Sequence, residues 1–159
     1  MTSTNLRKPP HGIQAWFWRA PIYLYRWHLG GILGGRFLLL NHIGRKSGLP
    51  RQAVLEVIKH DSKTYYSSSG FGEKSQWYKN ILHTPDVKIQ VGRKKMAALA
   101  ERLSYPKAKK VLSEYAEKHP SALRELSRLV GLSYDGSEES LANLAKIMPI
   151  IAFHIQKKE

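Results

Sequence analysis

Apolar and polar residues alternate through the first two thirds of the chain with the two-residue period of β-strands. The pattern predicts five strands, at about residues 36–43, 51–60, 63–69, 87–91 and 95–103. Asp61-Ser62 and Gly92-Arg93 fit tight turns, so the third strand follows the second in a hairpin and the fifth follows the fourth in another. Ser75 is a typical N-cap residue, and we expect a short helix between it and Thr84.

Apolar residues in the last third of the chain recur instead at the helical spacing i, i+3, i+4 and i+7. The spacing predicts a helix over 106–118, a second from Pro120 to a stop at Gly131, and a third that ends before Pro149. Alternation returns at 151–155, which we interpret as a last strand rejoining the sheet. Residues 106–148 are therefore predicted to be a helical insertion within a single domain, 1–159.

The links between most of these strands are too short for the crossover helices of a parallel sheet. We therefore predict an α+β fold, a small antiparallel β-barrel, closed or split, with an N-terminal helix over about 14–29 and the helical insertion before the last strand. Residues 1–12 are expected to form a loose arm. Charged residues and Pro21 interrupt the aromatic N-terminal segment, so it fits neither a membrane span nor a signal peptide, and we expect a cytoplasmic protein.

Charge then narrows the choice of partner. The 159 residues include 26 Lys+Arg and 12 Asp+Glu, a formal charge of +14, which favours an anionic partner. Nucleic acid, an anionic membrane surface and a phosphate-bearing ligand all fit this charge. The chain has no cysteine, its histidines lack metal-ligand spacing, and no G-x-S-x-G motif occurs, so thiolate sites, a metal centre and hydrolase chemistry are not expected.

The turn between the first two strands, residues 44–51, concentrates groups that suit a phosphate. Arg45, Lys46 and Arg51 supply charge and Ser47 a hydroxyl, while Gly44 permits close approach of the backbone. A solvated basic turn is the alternative interpretation. The spacing matches neither a Walker loop nor a dinucleotide fingerprint.

A second candidate segment, residues 67–72, is rich in serine and glycine. Its hydroxyl and N–H groups could line the edge of a flat ring, although its composition also fits a simple flexible loop. Trp77 and Tyr78 follow on the short helix. They could stack on a heterocycle or belong to the core.

Taken together, these motifs resemble the deazaflavin-dependent nitroreductase family. The pattern G-R-K-S-G-x-P-R at 44–51, the serine loop, and W-Y-x-N-[LI] at 77–81 occur in the family's order, and the likeness covers about residues 20–104 and the last strand. The resemblance implies a split β-barrel of the FMN-binding type that uses the deazaflavin F420. Many relatives carry a lysine where this chain has Ser69.

The resemblance also implies roles for individual residues. Arg45, Lys46, Ser47 and Arg51 would hold the cofactor phosphate, and the ring would be bordered by Ser68, Ser69, Gly70 and Trp77. Reduced F420 would then pass a hydride to a small, flat, hydrophobic acceptor such as a quinone or nitroaromatic. Candidate donors to that acceptor are Ser68, Ser69 and Tyr78.

Three alternatives stay open at this stage. FMN could replace F420 in a related split barrel. The chain could instead bind nucleic acid or anionic lipid without catalysis, although we consider nucleic acid the weaker alternative. The aromatic N-terminal helix would also allow peripheral contact with a membrane, where quinones reside. The sequence does not indicate an oligomeric state.

Overall fold

The segments with alternating apolar and polar residues form one curled antiparallel sheet in the computed structural model. The model describes residues 34–129 and 131–157, and within them it contains seven strands. The strands are β1 Phe37–Ile43, β2 Pro50–Glu56, β3 Lys59–His60, β4 Thr64–Ser68, β5 Asp86–Val91, β6 Lys94–Arg102 and β7 Ile150–Ile155. The same ranges contain four α-helices: α1 Gln76–His83, α2 Tyr105–Lys118, α3 Pro120–Leu129 and α4 Glu138–Ile147.

The sheet order is β2-β1-β5-β6-β7-β4-β3, so β2 and β3 occupy opposite edges although only two residues separate them in the chain. The Val57 N–H donates to Arg36 O beside β1, and the Ile58 N–H donates to Tyr66 O on β4, at 2.8 and 2.9 Å. Consecutive residues therefore join the two edges and curl the sheet into a split barrel.

The barrel interior is filled by side chains that alternate inward along the strands. Leu38 and Leu40 of β1, Ile89 of β5 and Phe153 of β7 are almost completely buried there. Helix α1 closes this core with Tyr78 and Ile81, which are equally buried. The short helix is thereby fixed against the barrel.

Helices α2 and α4 pack together over a second apolar cluster, which contains Leu112, Leu144 and Met148. The Tyr115 hydroxyl on α2 donates to Glu56 Oε1 at 3.1 Å and ties this layer to β2. The N-cap of α4 is Ser137, whose side chain accepts the Ser140 N–H. The helices between β6 and β7 thus cover one side of the barrel.

The predicted α+β split barrel is confirmed, as are the helices between β6 and β7 and the return of the last strand to the sheet. One strand prediction is wrong: residues 51–60 form two strands, because the chain leaves one edge at 57–58 to reach the other. The arm at 1–12 and the helix at 14–29 lie outside the described residues. No helix within 34–129 and 131–157 has the length and apolar character needed to cross a bilayer.

Candidate functional site

The basic turn after β1 is closed by its own backbone. The Gly44 N–H donates to Leu49 O at 2.9 Å, and the Gly48 N–H donates to Gly44 O at 2.8 Å. Gly48 has φ +67°, in the left-handed region that glycine adopts without strain. A Cβ on Gly44 would lie 2.6 Å from Ser47 Oγ, so a larger residue there would require the Ser47 hydroxyl to move.

Arg45 fastens the turn to α1. Its backbone N–H and its Nη1 both donate to Asn80 Oδ1, at 3.1 and 3.0 Å. Nη1 also donates to Gln76 Oε1 at 3.1 Å. The remaining N–H groups of the half-buried guanidinium have no partner among the described residues, so Arg45 can both position the turn and offer hydrogen bonds to an anion.

His42 lies beneath this junction, at an inward position of β1. Because Asn80 Oδ1 is occupied by Arg45, the amide presents Nδ2 to His42 Nδ1, at 3.2 Å. This contact assigns an acceptor role to Nδ1 and therefore a neutral ring with its proton on Nε2. Burial, and next the charge of Arg51, lower the pKa of His42 from 6.5 to about 4.

The other two cations predicted to bind the phosphate are exposed, Lys46 on the turn and Arg51 at the start of β2, where it is paired with His42. Neither forms an ion pair within the described part of the chain. The exposed Ser47 hydroxyl accepts the Leu49 N–H at 3.3 Å and retains its own proton for donation. Two exposed cations and a hydroxyl thus occur on the turn and the first residues of β2, a donor set that suits phosphate or carboxylate.

The serine loop after β4 folds inward. Ser69 is fully buried, and its Oγ donates to Gly72 O at 2.6 Å and hydrogen-bonds Ser75 Oγ at 2.8 Å. Its N–H donates to Pro149 O at 2.9 Å. Ser68 is half-buried at the end of β4, and its hydroxyl has no hydrogen bond within the described residues. Ser68 is therefore the loop serine that is free to meet a ligand.

Two buried hydroxyls near this loop have no partner within the described residues, those of Ser67 and Tyr78. Tyr78 is 1% exposed, and burial raises its pKa. The Arg102 guanidinium lies 5.8 Å from its ring centroid. Tyr78 thus packs as a core residue with a polar atom, beneath the loop.

The two candidate loops meet at the N-terminus of α1. Ser75, the N-cap, contacts Ser69 of the serine loop, and Gln76, the next residue, contacts Arg45 of the basic turn. The Ser75 side chain does not cap α1, and the first turn of α1 has no acidic residue. Neither a side-chain cap nor an acidic residue therefore neutralises the positive end of this helix.

Of the residues predicted from sequence, Trp77 lies half-buried on α1 at this junction, and Gly70 lies half-buried in the serine loop. The sequence reasoning missed Ser75, Gln76, Asn80 and His42. Asn80 is part of the W-Y-x-N-[LI] pattern, and His42 follows Leu38 and Leu40 at the inward spacing of β1. Both residues could therefore have been found from the sequence. The contact between Ser75 and Ser69 left no signal in the sequence.

The chain is similar in sequence to one described protein family and similar in fold to several solved structures. The family described as F420H(2)-dependent quinone reductase matches residues 24–126, which is more than half of the chain. A solved F420-H2 dependent reductase (FDR-A) is 20% identical, with a TM-score of 0.51 over 75% of this chain and 94% of that one.

Two further solved structures are similar. A chain described as a domain-swapped dimer is 19% identical, with a TM-score of 0.54 over 85% of this chain and 100% of that one. A Clostridium acetobutylicum protein related to general stress protein 26, of the pyridoxinephosphate oxidase family, is 9% identical, with a TM-score of 0.53 over 85% and 84%. At these identities the solved structures support the split-barrel fold alone.

Proposed function

This chain belongs to the F420H(2)-dependent quinone reductase family, and on that basis we propose that it is a reductase whose acceptor is a flat, hydrophobic molecule such as a quinone or a nitroaromatic. Its cofactor is F420. When bound, the reduced deazaflavin supplies a hydride, and that hydride together with one proton converts a quinone into a hydroquinone. The chain's own residues have to bind the cofactor, orient the acceptor and stabilise charge on it.

The phosphate and the acidic tail of the cofactor fit the donor set of the basic turn. Lys46 and Arg51 would bind them by charge-assisted hydrogen bonds, together with Ser47 and the free N–H groups of Arg45. Asn80 would keep Arg45 in place through its two accepted bonds. The N–H and C=O groups of Gly44 close this turn by backbone hydrogen bonds to Leu49 and Gly48.

The ring of the cofactor would lie between the two loops, bordered by Trp77, Gly70 and Ser68. The free hydroxyl of Ser68 would donate a hydrogen bond to oxygen as negative charge develops on the acceptor. Ser69 has a different role in this proposal, because its hydroxyl is already hydrogen-bonded to Gly72 and Ser75. It shapes the loop that presents Ser68.

A single observation carries the proposal, the meeting of the two loops at Ser75 and Gln76. It supports the proposal because the N-terminus of one helix contacts both Arg45 of the basic turn and Ser69 of the serine loop, and a cation beside a helix N-terminus suits a phosphate-bearing cofactor. The distances between these loops are fixed by hydrogen bonds within the protein. The site is therefore preorganised for binding.

The test is titration of the purified protein with F420 and with FMN, followed by turnover of F420H2 with menadione, a small quinone. We expect saturable binding of F420, and turnover that depends on it. The double variant Lys46→Gln/Arg51→Gln should bind F420 about tenfold or more weakly, because two charge-assisted bonds are lost. The control Lys63→Gln removes an exposed cation from the β3–β4 turn and should change neither value.

Tighter binding of FMN than of F420 would contradict the proposed cofactor. Equal losses of F420 affinity in the double variant and in Lys63→Gln would contradict the anchoring role of the basic turn. A salt series with DNA completes the comparison, because strongly salt-dependent DNA binding without F420 binding would favour a non-catalytic role.

A further inference from the structure

A cavity of about 570 Å3 opens beside the helical layer, between the C-terminal end of β6, the start of β7 and the ends of α2 and α4. Small-molecule sites have volumes of roughly 300 to 1,000 Å3, so the cavity has room for a compact aromatic molecule.

The cavity adjoins the serine loop. Pro149 and Ile150 line it, and both contact that loop through the backbone. Pro149 O accepts the Ser69 N–H at 2.9 Å, and Ile150 is paired with Ser68 across β7 and β4. Ser68 does not itself line the cavity, but a molecule against Ile150 would lie one strand spacing, about 5 Å, from it.

The inner wall of the cavity is apolar and its rim is aromatic. Leu103, Ala108, Ala145, Pro149 and Ile150 contribute buried surface. Tyr105, at the start of α2, is 40% exposed, and Lys146 Nζ lies 6.0 Å from its ring centroid. Buried apolar side chains and an exposed aromatic ring suit a flat ring system.

The charges at the rim are unequal. Glu101 Oε2 accepts a hydrogen bond from His154 Nε2, and Arg102 forms an ion pair with Glu73, each at 2.7 Å. Lys107 and Lys146 line the same cavity, and neither has an acidic partner among the described residues. With Arg102, the two lysines give the lining three cations against the one carboxylate of Glu101, so its net charge is positive.

Helix α2 adds to this positive field. It begins at the cavity, its first turn contains no acidic residue, and the Ser104 side chain does not cap it. The unsatisfied N–H groups at a helix N-terminus favour an anion. The site therefore combines an apolar wall, an aromatic ring and three sources of positive charge.

We propose that this cavity binds the acceptor and selects flat aromatic acceptors that carry an anionic group, such as a carboxylated or sulfonated quinone. That the bound molecule is reduced by F420H2 rests on the proposed function, whereas its binding in the cavity does not. Lys107 and Lys146 contact the anionic group, and Tyr105 contacts the ring.

The test compares menadione with naphthoquinone sulfonate, which has the same fused quinone ring and a negative charge. Calorimetric binding to the cofactor-free protein and steady-state turnover with F420H2 are both measured. The variant Lys107→Gln/Lys146→Gln should weaken sulfonate binding and raise its KM about tenfold, with menadione changed less than about twofold. Tyr105→Ala should weaken both ligands. Lys110→Gln, an exposed position of α2 outside the cavity, is the control.

Equal effects on the charged and neutral quinones, or no binding of either, would overturn the inference. Weaker F420 binding in the lysine variant would also overturn it, because the cavity would then belong to the cofactor. Calorimetry separates the two proposals. Lysine-dependent sulfonate binding without turnover would refute the proposed reaction and leave the anion-selective cavity standing.

Discussion

Arg45 and Asn80, 35 residues apart in the chain, are joined by two hydrogen bonds to one oxygen: the backbone N–H of Arg45 at 3.1 Å and its Nη1 at 3.0 Å both reach Asn80 Oδ1. Both bonds fix the orientation of the amide, so its nitrogen donates to His42. One buried side chain therefore sets the position of the basic turn, the orientation of Arg45 and the protonation state of His42.

Asn80→Ala should lower the free energy of unfolding by about 2 to 3 kcal/mol, because it leaves the Arg45 N–H and His42 Nδ1 without partners at a buried site. F420 affinity should fall as well, since the turn is no longer held. Urea unfolding and F420 titration measure the two effects.

Gln76→Ala is the matched control for Asn80→Ala. It removes one exposed bond from the same guanidinium and should cost about 0.5 kcal/mol. Equal destabilisation by the two variants would show that Asn80 has no special role.

His42 should give the folded protein a pH dependence of known sign. Its pKa is lowered from 6.5 to about 4, first by burial and then by Arg51. Below about pH 6.5 His42 is protonated in the unfolded chain, whereas in the folded chain it stays neutral until about pH 4. The free energy of unfolding therefore falls as the pH is lowered through this window, by about 3 kcal/mol at most.

Urea unfolding of the wild type and of His42→Gln over this window measures that effect. Carboxylates titrate in both proteins, whereas the His42 contribution is present only in the wild type. The wild-type free energy of unfolding should therefore fall more steeply than that of the variant as the pH is lowered. Parallel curves for the two proteins would refute the assignment.

Patterning along the chain predicted much of this fold, because strand and helix periods are local properties. The apolar alternation of β1 and the spacing of Val111, Leu112 and Tyr115 in α2 each depend on one segment, and both are seen in the structure. The same alternation also places His42 at an inward position. A polar residue at the third inward position of a buried strand was therefore a signal for a functional or structural role.

Contacts between segments could not be predicted in this way. The break in the strand predicted at 51–60 arises because the sheet curls until its edges meet, and neither residue of Val57-Ile58 is a turn former. Ser69 is another case. The composition of residues 67–72 also fitted a simple flexible loop, whereas the Ser69 hydroxyl is buried and hydrogen-bonded to Gly72 and Ser75.

Ser67, near the end of β4, and Ser69, just after that strand, provide a matched pair of substitutions, as both are fully buried. Ser69→Ala should lower the free energy of unfolding by about 1 to 2 kcal/mol, because Gly72 O and Ser75 Oγ lose a partner. Ser67→Ala removes a hydroxyl that has no partner within the described residues and should be neutral or stabilising. Thermal unfolding of the two variants measures the difference, and a larger loss in Ser67→Ala would contradict the hydrogen-bond assignment.

The hydroxyl groups of Tyr78 and Ser68 should contribute unequally to kcat. The Tyr78 hydroxyl is buried in the barrel core without a partner in the described part of the chain, so Tyr78→Phe should leave kcat within about twofold and raise the free energy of unfolding by up to about 1 kcal/mol. Ser68→Ala removes the proposed donor to the developing charge and should lower kcat with menadione about tenfold or more, with F420 affinity unchanged. Stopped-flow measurement of the rate at which F420H2 reduces menadione distinguishes the two variants. An equal loss of rate in Tyr78→Phe would mean that the core opens to admit the acceptor, and Tyr78 would replace Ser68 as the donor.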